Sequence, residues 1–168
     1  MDILKIIGII VFIVCLLVMY GTNHGIPDIR KYDSDFKLLD MRFHYSANDI
    51  NDTLNKIGDD GRKAYSNYLI LDFIFICSFL IVQFAITDKL ITSVNMKSIL
   101  YIFVIARAIF DIIENCMLLK IINKFPNYNT DLASICTWIT TAKFVMMYSW
   151  IICILGYLFY SLIYRKNV

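Results

Sequence analysis

Three ionisable side chains recur at helical spacing inside one of the most apolar stretches of the chain. In SILYIFVIARAIFDIIENCMLLKII, residues 98–122, Arg107, Asp111 and Glu114 stand at i, i+4 and i+7, so they project from one helical face, with Asn115 beside them. A charge at the bilayer centre costs about 2.5–3.5 kcal/mol on insertion scales, so such residues face a bundle interior, pair or line water. A function would therefore lie here.

The chemistry that these residues suggest is proton transfer by carboxyl groups. Asp72 and Glu114 each lie about six residues from the same end of their spans, some 9 Å below one interface at about 1.5 Å per residue. Like charges confined in a dry site raise the pKa of at least one carboxyl group, which suits proton transfer near neutral pH. The candidate catalytic acids or bases are Asp72, Asp111 and Glu114.

A wider polar cluster surrounds those carboxyl groups. Gln83 follows Asp72 by eleven residues, which places it on the same helical face and extends a polar line inward. Lys143 enters from the same side, but the sequence favours an interfacial position for it, with its amine snorkelling to water above a hydrocarbon stretch that begins at Phe144. The predicted binding cluster is Arg107, Asn115, Lys143 and Gln83. A purely structural role is an equal alternative, since buried polar residues also hold helices together.

Further candidates precede the second span. DMRFHY, residues 40–45, is dense in functional side chains, and we expect a loop on top of the bundle with Phe43 and Tyr45 buried. His24 and His44 have no carboxylate at metal-ligand spacing, so we predict no metal and no cofactor. The extramembrane candidates are Asp40, Arg42, His44, Tyr45 and Arg62.

The elements that position these residues are apolar helices. Hydrophobic residues make up 59% of the 168-residue chain, above the roughly 45–50% of soluble domains. A membrane span needs about twenty mostly apolar residues. Four stretches qualify, and short connections make successive helices antiparallel neighbours. We predict an all-α, polytopic, single-domain membrane protein with a four-transmembrane-helix up-and-down bundle, its spans at about 3–20, 66–87, 98–122 and 138–164.

An extramembrane segment, residues 21–65, joins the first two spans. Its first half is polar and irregular, with Gly25 and Pro27. Ser46 then opens a helix whose apolar stripe, Ile50, Leu54 and Ile57, packs on the membrane surface or on the bundle top. Gly58 stops this helix, and the following residues continue into the second span.

The predicted location is the cell membrane, with several spans and both termini cytoplasmic. Lys5 precedes the first span, whereas no Lys or Arg follows that span until Arg30. The net charge of +2 indicates no basic surface, so the expected partners are the lipid bilayer, a lipid-like ligand or other membrane subunits, and no nucleic acid. An interfacial anchor on the inner face is predicted from Tyr157, Tyr160, Tyr164, Arg165 and Lys166.

The segment before the second span contains the pattern D-x-R-F-x-Y at residues 40–45, followed by G-R-x-x-Y at residues 61–65. It resembles uncharacterised small four-span bacterial membrane proteins that share this pattern ahead of the second helix. The likeness covers residues 40–72, about a fifth of the chain, and implies no activity. It singles out for testing Asp40, Arg42, Phe43, Tyr45, Gly58, Gly61, Arg62, Tyr65 and Asp72.

Three functions remain open from the sequence. The first is a structural, interaction or accessory role in which the charges fix the bundle geometry. The second is a small membrane enzyme that acts on a lipid-like substrate through the intramembrane carboxyl groups, in a cavity open sideways to lipid. The third is a proton or ion pathway, which four spans would form only as an oligomer or a minimal relay.

Overall fold

The fold is described from a computed structural model, which covers residues 2–165. Five helices follow one another along the chain, and residues 2–165 contain no β-strand. The prediction of an all-α chain is therefore confirmed. The helices are α1 (Ile3–Gly21), α2 (Ile26–Ile29), α3 (Ala47–Leu90), α4 (Val94–Lys124) and α5 (Thr130–Arg165).

Three of the four long helices, α1, α3 and α5, are long and apolar enough to cross a membrane. The remaining one, α4, is 31 residues long, which corresponds to about 46 Å of helix. It differs from the others in charge, because every 18-residue stretch of α4 holds at least three ionisable residues. Arg107, Asp111 and Glu114, the ionisable residues that mark the candidate site, thus distinguish α4 from the other three long helices.

The long helices form an open row in the order α1, α3, α4, α5. Each packs against the next, and α3 also touches α5, whereas α1 contacts neither α4 nor α5 within the described residues. Neighbours run antiparallel: Lys5 near the start of α1 meets Asp88 near the end of α3, and Asp72 of α3 meets Asn115 of α4. The predicted antiparallel neighbours are present, but α1 and α5 leave a gap.

The helix α3 carries the predicted break at Gly58. Its backbone there has φ 65° and ψ −172°, in the region that favours glycine, so two helices meet at this residue. Nη1 of Arg62, beyond the break, donates a hydrogen bond to the carbonyl oxygen of Leu54 at 2.7 Å. This bond links the two helices across Gly58.

The start of α3 also matches the sequence prediction. The Ser46 side chain accepts a hydrogen bond from the backbone N–H of Asp49 at 3.1 Å, while the Asp49 carboxylate accepts one from the Ser46 N–H at 2.7 Å. This reciprocal pair is a capping box. The apolar stripe that follows, Ile50, Leu54 and Ile57, is fully buried in the core. The first part of α3 therefore packs on the bundle top rather than on a membrane surface.

Residues 22–46 are not wholly irregular, which corrects one expectation. Ile26–Ile29 form a single helical turn with Pro27 in its first positions, where a missing backbone N–H costs nothing. Ile26 and Ile29 are buried, as are Phe36 and Leu39 further along. Because four apolar side chains anchor it, this segment is a lid fixed onto the helices.

Two apolar clusters form the core. The upper cluster lies at the end of the bundle that carries the lid, residues 22–46, and includes Leu69, Leu118 and Cys136. The lower cluster lies at the opposite end and contains Leu100 and Trp150. Between them lies a layer of ionisable side chains on α3, α4 and α5.

The lower end of the bundle has polar contacts of its own. Asp88 accepts hydrogen bonds from Lys5 Nζ at 2.6 Å and from the Tyr101 hydroxyl. Tyr157, one residue of the predicted inner anchor, binds the Thr92 hydroxyl at 2.5 Å. The side chains of Tyr164 and Arg165, and Lys166 as a whole, lie outside what the structure describes.

Candidate functional site

The centre of the candidate site is a chain of ion pairs between α4 and α5. Arg107 Nη1 lies 2.7 Å from Oδ2 of Asp111, and Lys143 Nζ lies 3.0 Å from the other oxygen of the same carboxylate. The Lys143 amine also lies 2.5 Å from Oε2 of Glu114. All four side chains are buried. The spacing of Asp111 and Glu114 on one helical face thus brings both to Lys143 of α5, while Arg107 pairs with Asp111 on the same face.

The interfacial position predicted for Lys143 is wrong. Its side chain is buried, and Nζ donates a third bond, at 2.7 Å, to the backbone carbonyl oxygen of Asp40. The reason lies in where α5 begins. The helix starts at Thr130, so Lys143 is thirteen residues along it, or about 20 Å from the helix start. Starting the hydrocarbon stretch at Phe144 placed Lys143 too close to water.

Glu114 is closed off from any opening. Besides Lys143, its carboxylate accepts a hydrogen bond from the Thr140 hydroxyl at 2.5 Å. The Thr140 hydroxyl lies in turn 2.9 Å from the hydroxyl of Tyr45. No surface of Glu114 is exposed. Glu114 therefore acts as a structural acceptor, and of the three candidate acids or bases it is the one that a ligand cannot reach.

Asp72 differs from Asp111 and Glu114 because it has no cationic partner. Asn115 Nδ2 donates a hydrogen bond to Oδ2 of Asp72 at 2.7 Å and contacts the Leu69 carbonyl oxygen at 3.5 Å. No Lys or Arg in residues 2–163 forms an ion pair with Asp72. The sequence predicted that Asp72 of α3 and Glu114 of α4 lie at the same level. Asp72 does meet α4 there, but its partner is Asn115 rather than Glu114.

Asp40 brings the lid into the site. The Tyr65 hydroxyl donates to Oδ1 of Asp40 at 2.9 Å and accepts a bond from the Leu39 N–H at 3.2 Å. Burial raises the pKa of the Asp40 carboxyl above its usual range, and the nearby Lys143 amine and the Tyr65 hydroxyl only partly oppose that shift. Asp40 is thus an extramembrane candidate that the structure does join to the cluster.

A cavity of about 270 Å³ opens beside these residues. It lies at the gap between α1 and α5, below the lid, and α3 and α4 close its inner side. Its polar end is formed by Asp40, Asp72, Arg107, Asp111 and Lys143. Its remaining walls are apolar or aromatic: Leu16, Met19, Tyr20, Met41, Tyr68, Phe75, Phe79, Phe144 and Met147. The cavity therefore combines a charged inner end with apolar sides.

Of the three guanidinium nitrogens of Arg107, only Nη1 has a hydrogen-bond acceptor among the described residues. Its guanidinium carbon lies 4.6 Å from the centre of the Phe79 ring, a cation–π contact. Nε and Nη2 of Arg107 are enclosed and find no hydrogen-bond acceptor within the described residues. Gln83 is similar, with both amide atoms enclosed and without a partner there. Gln83 lies outside the cavity, so the predicted polar line stops short of the ion pairs.

The other extramembrane candidates lie away from the cavity. His44 contacts Thr141 at 3.1 Å and packs on Trp138, while Arg42 donates to the Lys37 carbonyl oxygen at 3.0 Å. Tyr45 is buried, as expected for a packed loop, but Phe43 is 51% exposed, which contradicts its predicted burial. Arg42, His44 and Arg62 thus fasten the lid and the break in α3.

Sequence reasoning missed several residues that shape the site. Thr140 precedes Lys143 by three residues, so helical spacing alone would have placed both on one face. Tyr65 and Phe79 had no such signal, because their roles depend on how the lid and α3 fold against one another. Among the described residues, no three His, Cys, Asp or Glu side chains converge as metal ligands.

Comparisons with known proteins return no relative. No protein-family model, no curated protein and no solved structure matches the chain. The resemblance of residues 40–72 to small four-span membrane proteins therefore stays a prediction, and the functional argument depends on the geometry of the cavity.

Proposed function

We propose that this chain is a four-span integral membrane protein that takes an amphipathic, lipid-like molecule from the bilayer into the cavity between α1 and α5. One observation carries the proposal: the cavity has a charged inner end, has apolar walls and lies where two helices do not touch. A molecule with a polar head and an apolar chain matches both parts.

The membrane setting is supported by what the helices expose. Ile10 and Leu17 of α1, and Ile152 and Phe159 of α5, are at least half exposed. In water such surfaces would be unfavourable, whereas in lipid they are the expected exterior. Arg107, Asp111 and Glu114, in the middle of α4, are buried instead, and the two carboxylates pair with Lys143 of α5. This division is why we count α4 as the fourth span.

The proposed orientation places both termini in the cytoplasm of a cell membrane. The residues that flank the first span support it: Lys5 precedes α1, and no Lys or Arg follows α1 until Arg30, the asymmetry that the positive-inside rule associates with a cytoplasmic amino terminus. The lid then lies on the outer side of the membrane, and the cavity and the charged layer lie in its outer half.

The geometry supports binding, and it limits which residues could also perform acid–base chemistry. Asp72 and Asp111 line the cavity, so a bound molecule would contact them. Glu114 is sealed behind Lys143 and Thr140. If the protein is an enzyme that acts on a lipid-like substrate, the acid or base is Asp72 or Asp111.

Photo-crosslinking tests the binding proposal. We would reconstitute the protein with phosphatidylcholine that carries a diazirine on its acyl chain, irradiate it and map the labelled peptides. We expect labelling enriched at the cavity walls, including Leu16 and Met147. Met147→Trp fills the cavity and is expected to reduce that labelling, while Ile152→Trp on the exposed face of α5 is the matched control. The proposal would be contradicted if all exposed faces were labelled uniformly and Met147→Trp left that labelling unchanged.

A structural or accessory role is the second candidate, and one observation favours it. Lys143 joins α5 to two carboxylates of α4 and to the lid carbonyl oxygen of Asp40, so a single side chain holds three parts of the fold. Under this role, Asp111→Asn lowers the yield of folded protein but leaves the crosslinking pattern of the folded fraction unchanged. A changed pattern in well-folded Asp111→Asn protein would favour the binding role.

A further inference from the structure

We infer that the ligand of this cavity is an amphipathic amine, with a positively charged ammonium group at Asp40 and Asp72 and an apolar chain in the gap between α1 and α5. The inference depends on the proposed function, since it names the chemical class of the molecule that the cavity takes.

The charge balance of the site is the first argument. Two cations, Arg107 and Lys143, form ion pairs with two carboxylates, Asp111 and Glu114. This network is neutral. Asp40 and Asp72 remain, both line the cavity, and neither forms an ion pair with a side chain of residues 2–163. A cation bound in the cavity would therefore balance the negative charge of Asp40 and Asp72.

The hydrogen bonding of the two carboxylates is the second argument. Tyr65 binds one oxygen of Asp40, and Asn115 binds one oxygen of Asp72. Apart from these bonds, the Asp40 carboxyl receives only its own backbone N–H, and Oδ1 of Asp72 accepts no hydrogen bond from the described residues, although the two residues are only 3% and 5% exposed. An ammonium group has donors but no acceptor, so it suits two carboxylates that keep spare acceptor positions.

Aromatic rings complete the environment of a cation. Five line the cavity, on α1, α3 and α5: Tyr20, Tyr68, Phe75, Phe79 and Phe144. The faces of such rings attract ammonium groups, and aromatic cages are a recurrent way to bind alkylated amines. The same rings offer apolar area to an alkyl chain. Phe79 and Phe144 already lie against Arg107 and Lys143, so Tyr20, Tyr68 and Phe75 are the rings of this set that remain for the head group and the start of the chain.

An anionic head group fits less well. The two cations of the site are already committed: Lys143 contacts three acceptors, and Arg107 contacts Asp111 and the Phe79 ring. The free nitrogens of Arg107 are enclosed rather than open to the cavity. A phosphate would also meet the unpaired carboxylates of Asp40 and Asp72, and like charges repel.

Titration calorimetry of the purified protein in maltoside micelles tests the inference. The probes share one chain length and differ in head group: dodecylamine, dodecyltrimethylammonium, dodecanol and dodecyl phosphate. We expect the two amines to bind more tightly than the alcohol and the phosphate. Asp72→Asn and Asp40→Asn are each expected to weaken amine binding by about tenfold or more, as for a buried charge pair that loses one partner. Asp52→Asn, on an exposed position of α3, is the matched control.

The outcomes separate this inference from the proposed function. Dodecanol or dodecyl phosphate binding wild-type protein as tightly as dodecylamine overturns the inference, as does amine affinity unchanged in Asp72→Asn. If dodecanol still binds and Met147→Trp abolishes its binding, the cavity remains a lipid-like site of another class. If no probe binds, both proposals fail. The head-group comparison on wild-type protein holds even where a variant does not fold.

One further probe identifies the source of the amine. Lysophosphatidylethanolamine carries its ammonium group on a phospholipid head, whereas dodecylamine does not. Binding of both with similar affinity assigns the site to the amine of a membrane lipid. Binding of dodecylamine alone assigns it to a free single-chain amine, because the phosphate is then excluded from the cavity.

Discussion

The Nζ atom of Lys143 lies 3.0 Å from Oδ1 of Asp111, in the interior of a bundle whose outer surface is apolar. The same amine reaches Glu114 at 2.5 Å, so one cation faces two carboxylates of a neighbouring helix. Removing such a cation leaves buried negative charge without compensation, which is costlier than never having buried the pair. The contact therefore determines how α5 sits against α4.

Lys143→Met tests that contact. Methionine keeps most of the side-chain volume but supplies no charge, so Asp111 and Glu114 lose their shared partner. We expect a loss of about 3–5 kcal/mol in the free energy of unfolding, the cost measured when a buried ion pair loses one member. The measurement is the equilibrium between folded and SDS-denatured protein in mixed micelles.

Two further variants make this result specific. Lys63→Met alters an exposed lysine of α3 and is expected to leave unfolding unchanged. Asp111 keeps Arg107 as a partner, so the double variant Lys143→Met with Glu114→Gln removes the one charge left without a cation and is expected to recover part of the loss. Stability of Lys143→Met equal to that of Lys63→Met would show that the ion pairs do not hold the bundle.

Gly8→Ala tests the packing of α1 on α3. A Cβ atom at residue 8 would lie 2.5 Å from Cγ2 and 2.8 Å from Cβ of Ile81, so the helices must move apart. Small residues allow such close approach between membrane helices. We expect a loss of about 1–3 kcal/mol, typical of overpacking. Gly156→Ala, where the new atom meets nothing within 4 Å, is the control, and equal melting temperatures of the two variants would refute the close contact.

Asp40→Asn tests the effect of burial on the lid carboxyl. Burial raises the pKa of Asp40, whereas Lys143 on α5 and Tyr65 on α3 lower it and Asp111 on α4 raises it. A carboxyl whose pKa is raised on folding contributes stability below its unfolded pKa, and that contribution is lost as pH rises through the folded pKa. Wild-type protein is therefore expected to lose stability relative to Asp40→Asn as pH rises above about 4, the usual pKa of an aspartate.

Thermal melts of both proteins across that pH range measure the difference. Titratable groups remote from Asp40 contribute equally to both proteins and cancel, so the difference reports Asp40 together with the charged groups coupled to it. Asp52→Asn, which changes an exposed carboxyl, is expected to follow the wild type at every pH. A difference between wild type and Asp40→Asn that stays constant with pH would contradict the raised pKa of Asp40.

Ser46→Ala tests the capping box at the start of α3. The substitution removes the acceptor for the Asp49 N–H, and loss of an N-cap costs about 1 kcal/mol. Because this end of α3 lies under the lid, we expect faster amide hydrogen exchange in residues 47–57 and little change beyond Gly58. Ser66→Ala, within the same helix, is the control. Exchange unchanged in residues 47–57 would show that the cap does not stabilise this end.

The sequence was sufficient for features that depend on spacing along one helix. The common face of Arg107, Asp111 and Glu114, the cap at Ser46 and the stop at Gly58 follow from local chemistry and periodicity, and the structure has all of them. Features that depend on packing between segments were less accessible. The depth of Lys143 depended on where α5 begins, and the role of Tyr65 depended on a lid whose course no pattern in the sequence predicted.

The sequence prediction did not foresee that the four long helices form an open row, with no contact between α1 and α5 in the described part of the chain. Short connections do make successive helices neighbours, but they do not decide whether the first and last helices also meet. Here the lid, anchored by Ile26 and Ile29, holds the top of α1 on α3 rather than on α5. The cavity follows from that placement, and no single residue of the sequence indicates it.

A row of helices has two edges, whereas a closed ring has none. A molecule seated between those edges gains contacts on both flanks without displacing any helix from its neighbour. Binding of that kind adds to the free energy of the folded state in proportion to the logarithm of ligand supply. The heat resistance of this protein would then depend on the composition of the surrounding membrane as well as on its own sequence.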